Sequence, residues 1–217
     1  MSQTRFPAGL YGVTPEWDDT ARLLKAVQEA AAGGMRALQL RRKHLPQAER
    51  RAQARELAAL CRELGVVFLV NDDWQTALHV GADGAHLGHD DATLADVRAA
   101  APGLILGVSC YADLNRARDL MDQGADYVAF GAVFPSSTKP EAVHAPLALL
   151  AEAAALTRTH GQPRPAVVAI GGITPANAGQ VVRAGADSIA VITGLFEAPD
   201  IRAAAQACAA PFPSSRG

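Results

Sequence analysis

Charged and hydroxyl side chains gather in a few short segments of this otherwise apolar chain. In Leu38-Gln39-Leu40-Arg41-Arg42-Lys43 an extended backbone would send Gln39, Arg41 and Lys43 to one side and Leu38 and Leu40 to the other. An amide and two cations facing inward need either a salt bridge to a neighbouring strand or an anionic ligand to offset their desolvation. Two acidic stretches follow, Asn71-Asp72-Asp73 and His89-Asp90-Asp91. Asp72 and Asp91 are read as hard carboxylate ligands of Mg2+, an ion that keeps several waters and shares phosphate oxygens. Asp73 and Asp90 are read as helix caps. Ser136, Ser137 and Thr138 precede Lys139; three hydroxyls beside one cation can donate to phosphoryl oxygens. Gly171-Gly172 and Thr193-Gly194 close the series, loops whose backbone N–H groups can approach a phosphate. His86 and His89 are three apart without a third ligand of matching type, so they are read as packing groups or as supports for the site. The chemistry implied is metal-assisted handling of phosphorylated small molecules.

Positioning these residues requires a scaffold that brings distant segments to one rim. Eight short apolar runs alternate with stretches of helical period, the pattern of βα units on a parallel sheet. The expected strands end near Thr14, Arg41, Asn71, Leu87, Val108, Gly131, Ile170 and Ile192. The fold class is therefore α/β, a single-domain (β/α)8 TIM barrel, whose active site is built by the loops following the strands. A first helix is bounded by Pro15 and the Asp18-Asp19-Thr20 cluster at its start and by Gly33-Gly34 at its stop. A second runs from near Pro46 to Gly65, with an expected apolar stripe of Leu57, Leu60, Cys61 and Leu64. The triplet Gly-Ala-Asp recurs at 81–83, 124–126 and 185–187, each time just before a strand. It is read as a helix-to-strand turn with a structural acid, on the rim opposite the site.

With 217 residues, 49% of them apolar, the chain can bury one sizeable core. The barrel is expected over 1–210 and a frayed Pro/Ser-rich tail over 211–217. A net charge of -2 gives no wide basic surface for nucleic acid, and no segment reads as a signal peptide or membrane span. The expected partners are small molecules, the expected location is the cytoplasm, and homo-oligomerisation is left open. Cys61, Cys110 and Cys208 have no CxxC spacing and are read as reduced thiols.

In their order and spacing, Gln39 to Lys43, Asn71-Asp72, Gly81 to Asp91, Gly107 to Ser109, Gly124 to Lys139, Ile170 to Ile173 and Gly185 to Thr193 resemble the thiamine phosphate synthase family, from Gly9 to about Phe196. The resemblance implies a transferase that joins an aminopyrimidine diphosphate to a thiazole phosphate, as the carboxylate or its decarboxylated form, releasing pyrophosphate with the help of one Mg2+ per subunit. It implies that Gln39, Leu40, Arg41, Arg42, Lys43, Asn71, Ser109 and Lys139 bind the pyrimidine diphosphate, with Lys43, Ser109 and Lys139 catalytic. Ser136, Ser137, Thr138, Gly172, Ile192 and Thr193 would receive the thiazole phosphate, and Asp72 and Asp91 the metal. The chain departs from the family's usual residues at Asp73 (often Arg), His89 (generally Gln), Ala132 (usually Pro) and Ser136 (commonly Thr). Two rivals use the same scaffold. A thiazole tautomerase carries a histidine two residues past the fifth-strand serine, where this chain has Tyr111, and lacks the carboxylate pair. A non-catalytic thiazole phosphate-binding regulator would not need Lys43, Asp72, Asp91 and Lys139.

Overall fold

The branched and aromatic runs between glycine-containing turns form eight strands, β1 (Gly9–Val13), β2 (Met35–Leu40), β3 (Val67–Asn71), β4 (Gly84–Leu87), β5 (Ile105–Tyr111), β6 (Tyr127–Phe130), β7 (Ala166–Ile170) and β8 (Ser188–Val191). In this computed structural model, which describes residues 3–88, 93–135 and 143–213, the strands pair in sequence order and β8 closes on β1 as a parallel barrel. Around it lie α1 (Thr20–Ala32), α2 (Gln47–Leu64), α3 (Trp74–Val80), α4 (Leu94–Ala100), α5 (Leu114–Asp122), α6 (Leu147–Thr157), α7 (Ala178–Arg183), the short α8 (Thr193–Phe196) and α9 (Ile201–Ala209). The fold is the expected (β/α)8 barrel. Among the described residues no helix is long and apolar enough to cross a membrane.

Strand alternation divides the apolar residues into two layers. Leu38 and Leu40 of β2, with Phe68 and Val70 of β3, meet helix residues such as Leu23, Val27, Leu57 and Cys61. Ala37 and Leu69 instead face inward, joining Phe6, Tyr11, Val13, Tyr127 and Val168 in a smaller cluster inside the barrel. Phe6 precedes β1 and plugs the end where the strands begin, its ring 5.0 Å from that of Tyr11 and 4.2 Å from that of Tyr127.

Several sequence expectations need adjustment. β5 continues to Tyr111, three residues past Val108, and its register against β6 shifts between Ser109 and Tyr111. The buried stripe of α2 is Gln53, Ala54, Leu57, Ala58 and Cys61, while Leu64 is 40% exposed. Gln53 is tolerated there because its amide donates to the Trp17 carbonyl and to Thr20 Oγ1. The packed chain also runs past Pro211, where fraying is expected: the Phe212 N–H donates to the Ala209 carbonyl and its ring lies against the core. All three cysteines are buried free thiols.

The repeated triplet is one structural device used three times. Gly81, Gly124 and Gly185 take positive φ of 68°, 92° and 111°, a region open to glycine without a Cβ penalty. Each following aspartate then clamps one residue of the preceding strand at two points. Asp83, Asp126 and Asp187 accept from the N–H of Phe68, Leu106 and Val167, each at 2.8 Å, and their own N–H groups donate back to the carbonyls of those same residues. These bonds satisfy strand N–H groups where the ladder begins. Asp126 is further paired with Arg5 and Arg98, and Asp187 with Arg164 through bonds of 2.7 and 2.8 Å. Asp187→Ala would leave an unsatisfied N–H and a half-buried guanidinium. It should lower stability by about 2–3 kcal/mol in urea unfolding while the circular dichroism spectrum without urea stays that of the native chain.

Candidate functional site

The chain leaving β2 and the chain leaving β3 enclose a cavity of about 600 Å3 at the rim where strands end. Arg42, Lys43, Asn71 and Asp72 line it, with Arg50, Asp73 and other residues from the first turns of α2 and α3. This is the rim on which the fold places active sites. β3 pairs with β4 through Asn71 and His86, and the Asp72 N–H donates to the His86 carbonyl at 2.8 Å, so the acid is tied to the edge of both strands. Asp72 adopts φ of 64°, uncommon outside glycine.

Strand alternation holds through Leu40 and fails beyond it. Gln39 is inside the barrel at 4% exposure. β2 ends at Leu40, so the next three residues follow the turn rather than the pleat. The Leu40 side chain packs fully buried in the sheet–helix layer, so any part it takes in binding would fall to its backbone. Arg42, which alternation would send outward from the barrel axis, lines the cavity with its side chain 2% exposed. It bonds to Asp18 and lies 3.6 Å from Glu16, yet its Nε and Nη1 have no hydrogen-bond acceptor among the described residues. Buried guanidinium nitrogens without acceptors suit an anionic ligand.

Glu16, in the loop after β1, carried no sequence signal but organises this corner. Its carboxylate lies 3.6 Å from Arg41 and from Arg42 and accepts the Lys43 N–H at 3.0 Å. Arg41 thus takes the salt-bridge reading in part, with the partner on a loop rather than on a strand. The Lys43 side chain is exposed at the cavity mouth.

Between Gln39 and Ser109 a file of hydrogen bonds crosses the barrel. Gln39 Nε2 donates to Tyr11 Oη at 2.5 Å; the two phenol oxygens of Tyr11 and Tyr127 are 3.0 Å apart; Tyr127 Oη is 2.8 Å from His86 Nδ1; and His86 Nε2 is 2.9 Å from Ser109 Oγ. His86 is therefore held through both ring nitrogens, by Tyr127 and by Ser109. Both tyrosines escape a sequence reading, since each sits in an apolar strand. Burial pushes both phenols well above their usual pKa, so they remain neutral donors. Gly107 makes room for the file: a Cβ there would overlap the Tyr127 ring.

Across the rim, the ends of β6 and β7 are zipped together. Val133 and Phe134 donate to the carbonyls of Ile170 and Gly171 at 3.0 and 3.1 Å. At Gly172, with φ of 61°, a side chain would meet Phe134 and the Pro135 carbonyl. Gly172 is thus adjacent to the point where the hydroxyl-rich loop begins. Ile192 packs on the inner cluster and Thr193 opens α8. Ala132 donates its N–H to the Val143 carbonyl at 2.9 Å and accepts from Ala145, a pairing at the loop's base whose first bond a proline could not make. His89, Asp90, Asp91, Ser136, Ser137, Thr138 and Lys139 lie outside the described residues.

Residues 10–195 match the model of a family described as thiamine monophosphate synthase. A thiamine-phosphate synthase of Bordetella avium is 81% identical over 98% of this chain and 99% of its own length. That of Thiobacillus denitrificans is 53% identical over 92% of each chain. A solved thiamine phosphate pyrophosphorylase from Pyrococcus furiosus superposes with a TM-score of 0.80 at 35% identity, covering 94% of this chain and 95% of its own.

Asp73 departs from the usual residue at its position yet has a defined structural task. It caps α3, accepting from the Thr76 N–H at 2.8 Å and from the Thr76 hydroxyl at 2.7 Å, and pairs with Arg50 at 3.1 Å. Burial alone would raise its pKa, but those hydrogen bonds and the Arg50 guanidinium together hold it below the ordinary carboxylate value. Its contribution is complete above the unfolded-state pKa of about 3.9 and is lost as pH falls through the lower folded-state value. Asp73→Ala should cost about 1–2 kcal/mol in urea unfolding at neutral pH. The difference from the native chain should shrink steadily as the pH is lowered below about 4.

Proposed function

The chain belongs to the thiamine monophosphate synthase family, transferases of thiamine biosynthesis, and we propose that it joins an aminopyrimidine diphosphate to a thiazole phosphate at the cavity between the β2 and β3 loops. The observation that carries this reading is the convergence of Arg42, Lys43, Asn71 and Asp72 on one cavity at the strand-end rim, with buried Arg42 nitrogens lacking acceptors among the described residues.

In the proposed reaction the carbon–oxygen bond to the diphosphate breaks heterolytically and the electron pair leaves with pyrophosphate. The thiazole nitrogen lone pair then forms the carbon–nitrogen bond to the resulting pyrimidine cation. Such a substitution asks little acid or base of the protein and much electrostatic stabilisation of the leaving group. Arg41, Arg42, Lys43 and Lys139 supply positive charge, and Asn71 and Ser109 supply hydrogen bonds. Gly172, Ile192, Thr193 and the Ser136–Thr138 hydroxyls would receive the thiazole phosphate. The apolar interior behind Gln39 limits water that would otherwise capture the cation.

Asp72 offers a hard oxygen donor beside these cations, which fits Mg2+ and does not suit a soft metal. With Asp91 it would hold the ion, which when bound supplies charge neutralisation to the diphosphate. The acid at Asp73 does not upset the balance, because Arg50 offsets it, and the added charges of Arg42 and Arg51 cancel those of Glu16 and Asp18. Lys43, Arg41, Lys139 and Mg2+ at about +5, less Asp72 and Asp91, leave about +3 against pyrophosphate near -3.

Purified protein given both substrates and Mg2+ should yield thiamine phosphate and pyrophosphate in equal amounts, and leaving out the thiazole phosphate should abolish thiamine phosphate formation. Pyrophosphate release at an unchanged rate without it would instead show a diphosphatase. Asp72→Ala and Asp91→Ala should each reduce turnover at least about a hundredfold with an unchanged circular dichroism spectrum. Near-normal turnover of either variant at saturating Mg2+ would remove the metal assignment.

A further inference from the structure

The file of hydrogen bonds across the barrel has a direction, and we propose that this direction makes Tyr11, Tyr127 and His86 positioning residues that hold Ser109 as an outward hydrogen-bond donor. The proposal rests on the synthase reading for what lies at the two ends, and on the geometry of the file itself for the rest.

Its polarity follows from counting protons. Gln39 presents Nε2 to Tyr11, and an amide nitrogen only donates, so Tyr11 Oη accepts there. A phenol has one hydrogen. Tyr127 Oη, 3.0 Å away, is the one acceptor among the described residues for the buried Tyr11 hydrogen, and with that bond made the Tyr127 hydrogen is left His86 Nδ1, 2.8 Å away, as its acceptor. Neither phenol escapes this assignment by ionising, because both are fully buried and held neutral. A neutral imidazole that accepts at Nδ1 carries its proton on Nε2. His86 then donates to Ser109 Oγ at 2.9 Å, and the serine hydrogen is left to point elsewhere.

Both ends now match an aminopyrimidine diphosphate. Gln39 Oε1, the amide atom not used in the Tyr11 bond, can accept from an exocyclic amine. Ser109 can donate to a diphosphate oxygen, which only accepts. Reversing the file would put a carbonyl against Tyr11, place the imidazole proton on Nδ1 and turn the Ser109 hydrogen inward, so that its oxygen lone pairs would face an anion. The positioning is rigid because the residues come from β2, β1, β6, β4 and β5, and because the His86 and Tyr127 rings stack with centroids 5.6 Å apart.

Two measurements test this. In protein labelled with nitrogen-15 at histidine, at about pH 8 where imidazole is neutral, His86 should show a protonated Nε2 and an unprotonated Nδ1. Proton occupancy of Nδ1 would overturn the proposal, and this measurement needs neither substrate nor variant. The second is a double-mutant cycle. Tyr127→Phe keeps the ring but removes the hydroxyl, and should lower kcat about five- to tenfold, the worth of one hydrogen bond, with a smaller change in KM. In a Ser109→Ala background the same change should cost less than about twofold, because the group it orients is gone. Equal losses in both backgrounds would reduce Tyr127 to a packing residue and overturn the proposal. Failure of the native protein to make thiamine phosphate would defeat the synthase reading instead, with the tautomer still deciding the direction of the file.

Discussion

Closing eight parallel strands into a ring creates an interior that must be filled without leaving polar groups unsatisfied. In this chain Tyr127 does much of the filling, and Gly107 is bare so that the ring can lie against β5. A phenylalanine would fill the same space. A tyrosine brings a hydroxyl that has to find partners in a dry place, and the partners it finds, Tyr11 and His86, extend to Gln39 and Ser109 on opposite sides of the rim. Packing of the core and orientation of Gln39 and Ser109 are therefore one problem here, since the groups that satisfy Tyr127 are coupled to these two side chains.

The two ends of the barrel carry acids under opposite conditions. Where strands begin, Asp83, Asp126 and Asp187 are clamped to backbone N–H groups, and the latter two also to arginines, so their charge is consumed locally. Where strands end, the charges are only partly matched. Glu16 is shared between Arg41 and Arg42, and two nitrogens of Arg42 have no hydrogen-bond acceptor among the described residues. Incomplete pairing of buried cations lowers stability in the free protein. It also leaves a site whose electrostatic demand a diphosphate can meet, which is the usual division of labour between the rims of this fold.

Much of the scaffold was legible because it follows from local chemistry. Apolar runs of strand length separated by helical period determine a (β/α)8 order, and the glycines at 81, 124 and 185 mark turns that only a residue without Cβ takes easily. Asp73 was readable as a cap from its place before a helix, and Asp72 as a residue of the strand-end rim from its place after a strand. Alternation located Gln39 inside the barrel but could not place Arg42, because the pleat ends at Leu40 and the two-residue period ends with it. The α2 stripe moved for a related reason, as Gln53 could be buried once Trp17 and Thr20 supplied its partners, while Leu64 fell on the exposed side of the last turn.

By itself, then, the sequence determined the order of elements, the rim on which chemistry belongs and the residue types gathered there, since these depend on periods and turns within a few residues of chain. Tertiary structure alone decided the pairings. Glu16 reaches Arg41 across 25 positions of sequence and Tyr11 reaches Tyr127 across 116. No local pattern encodes contacts of that separation, because they exist only after barrel closure has brought the strands into register and excluded the water that would otherwise have satisfied each group alone.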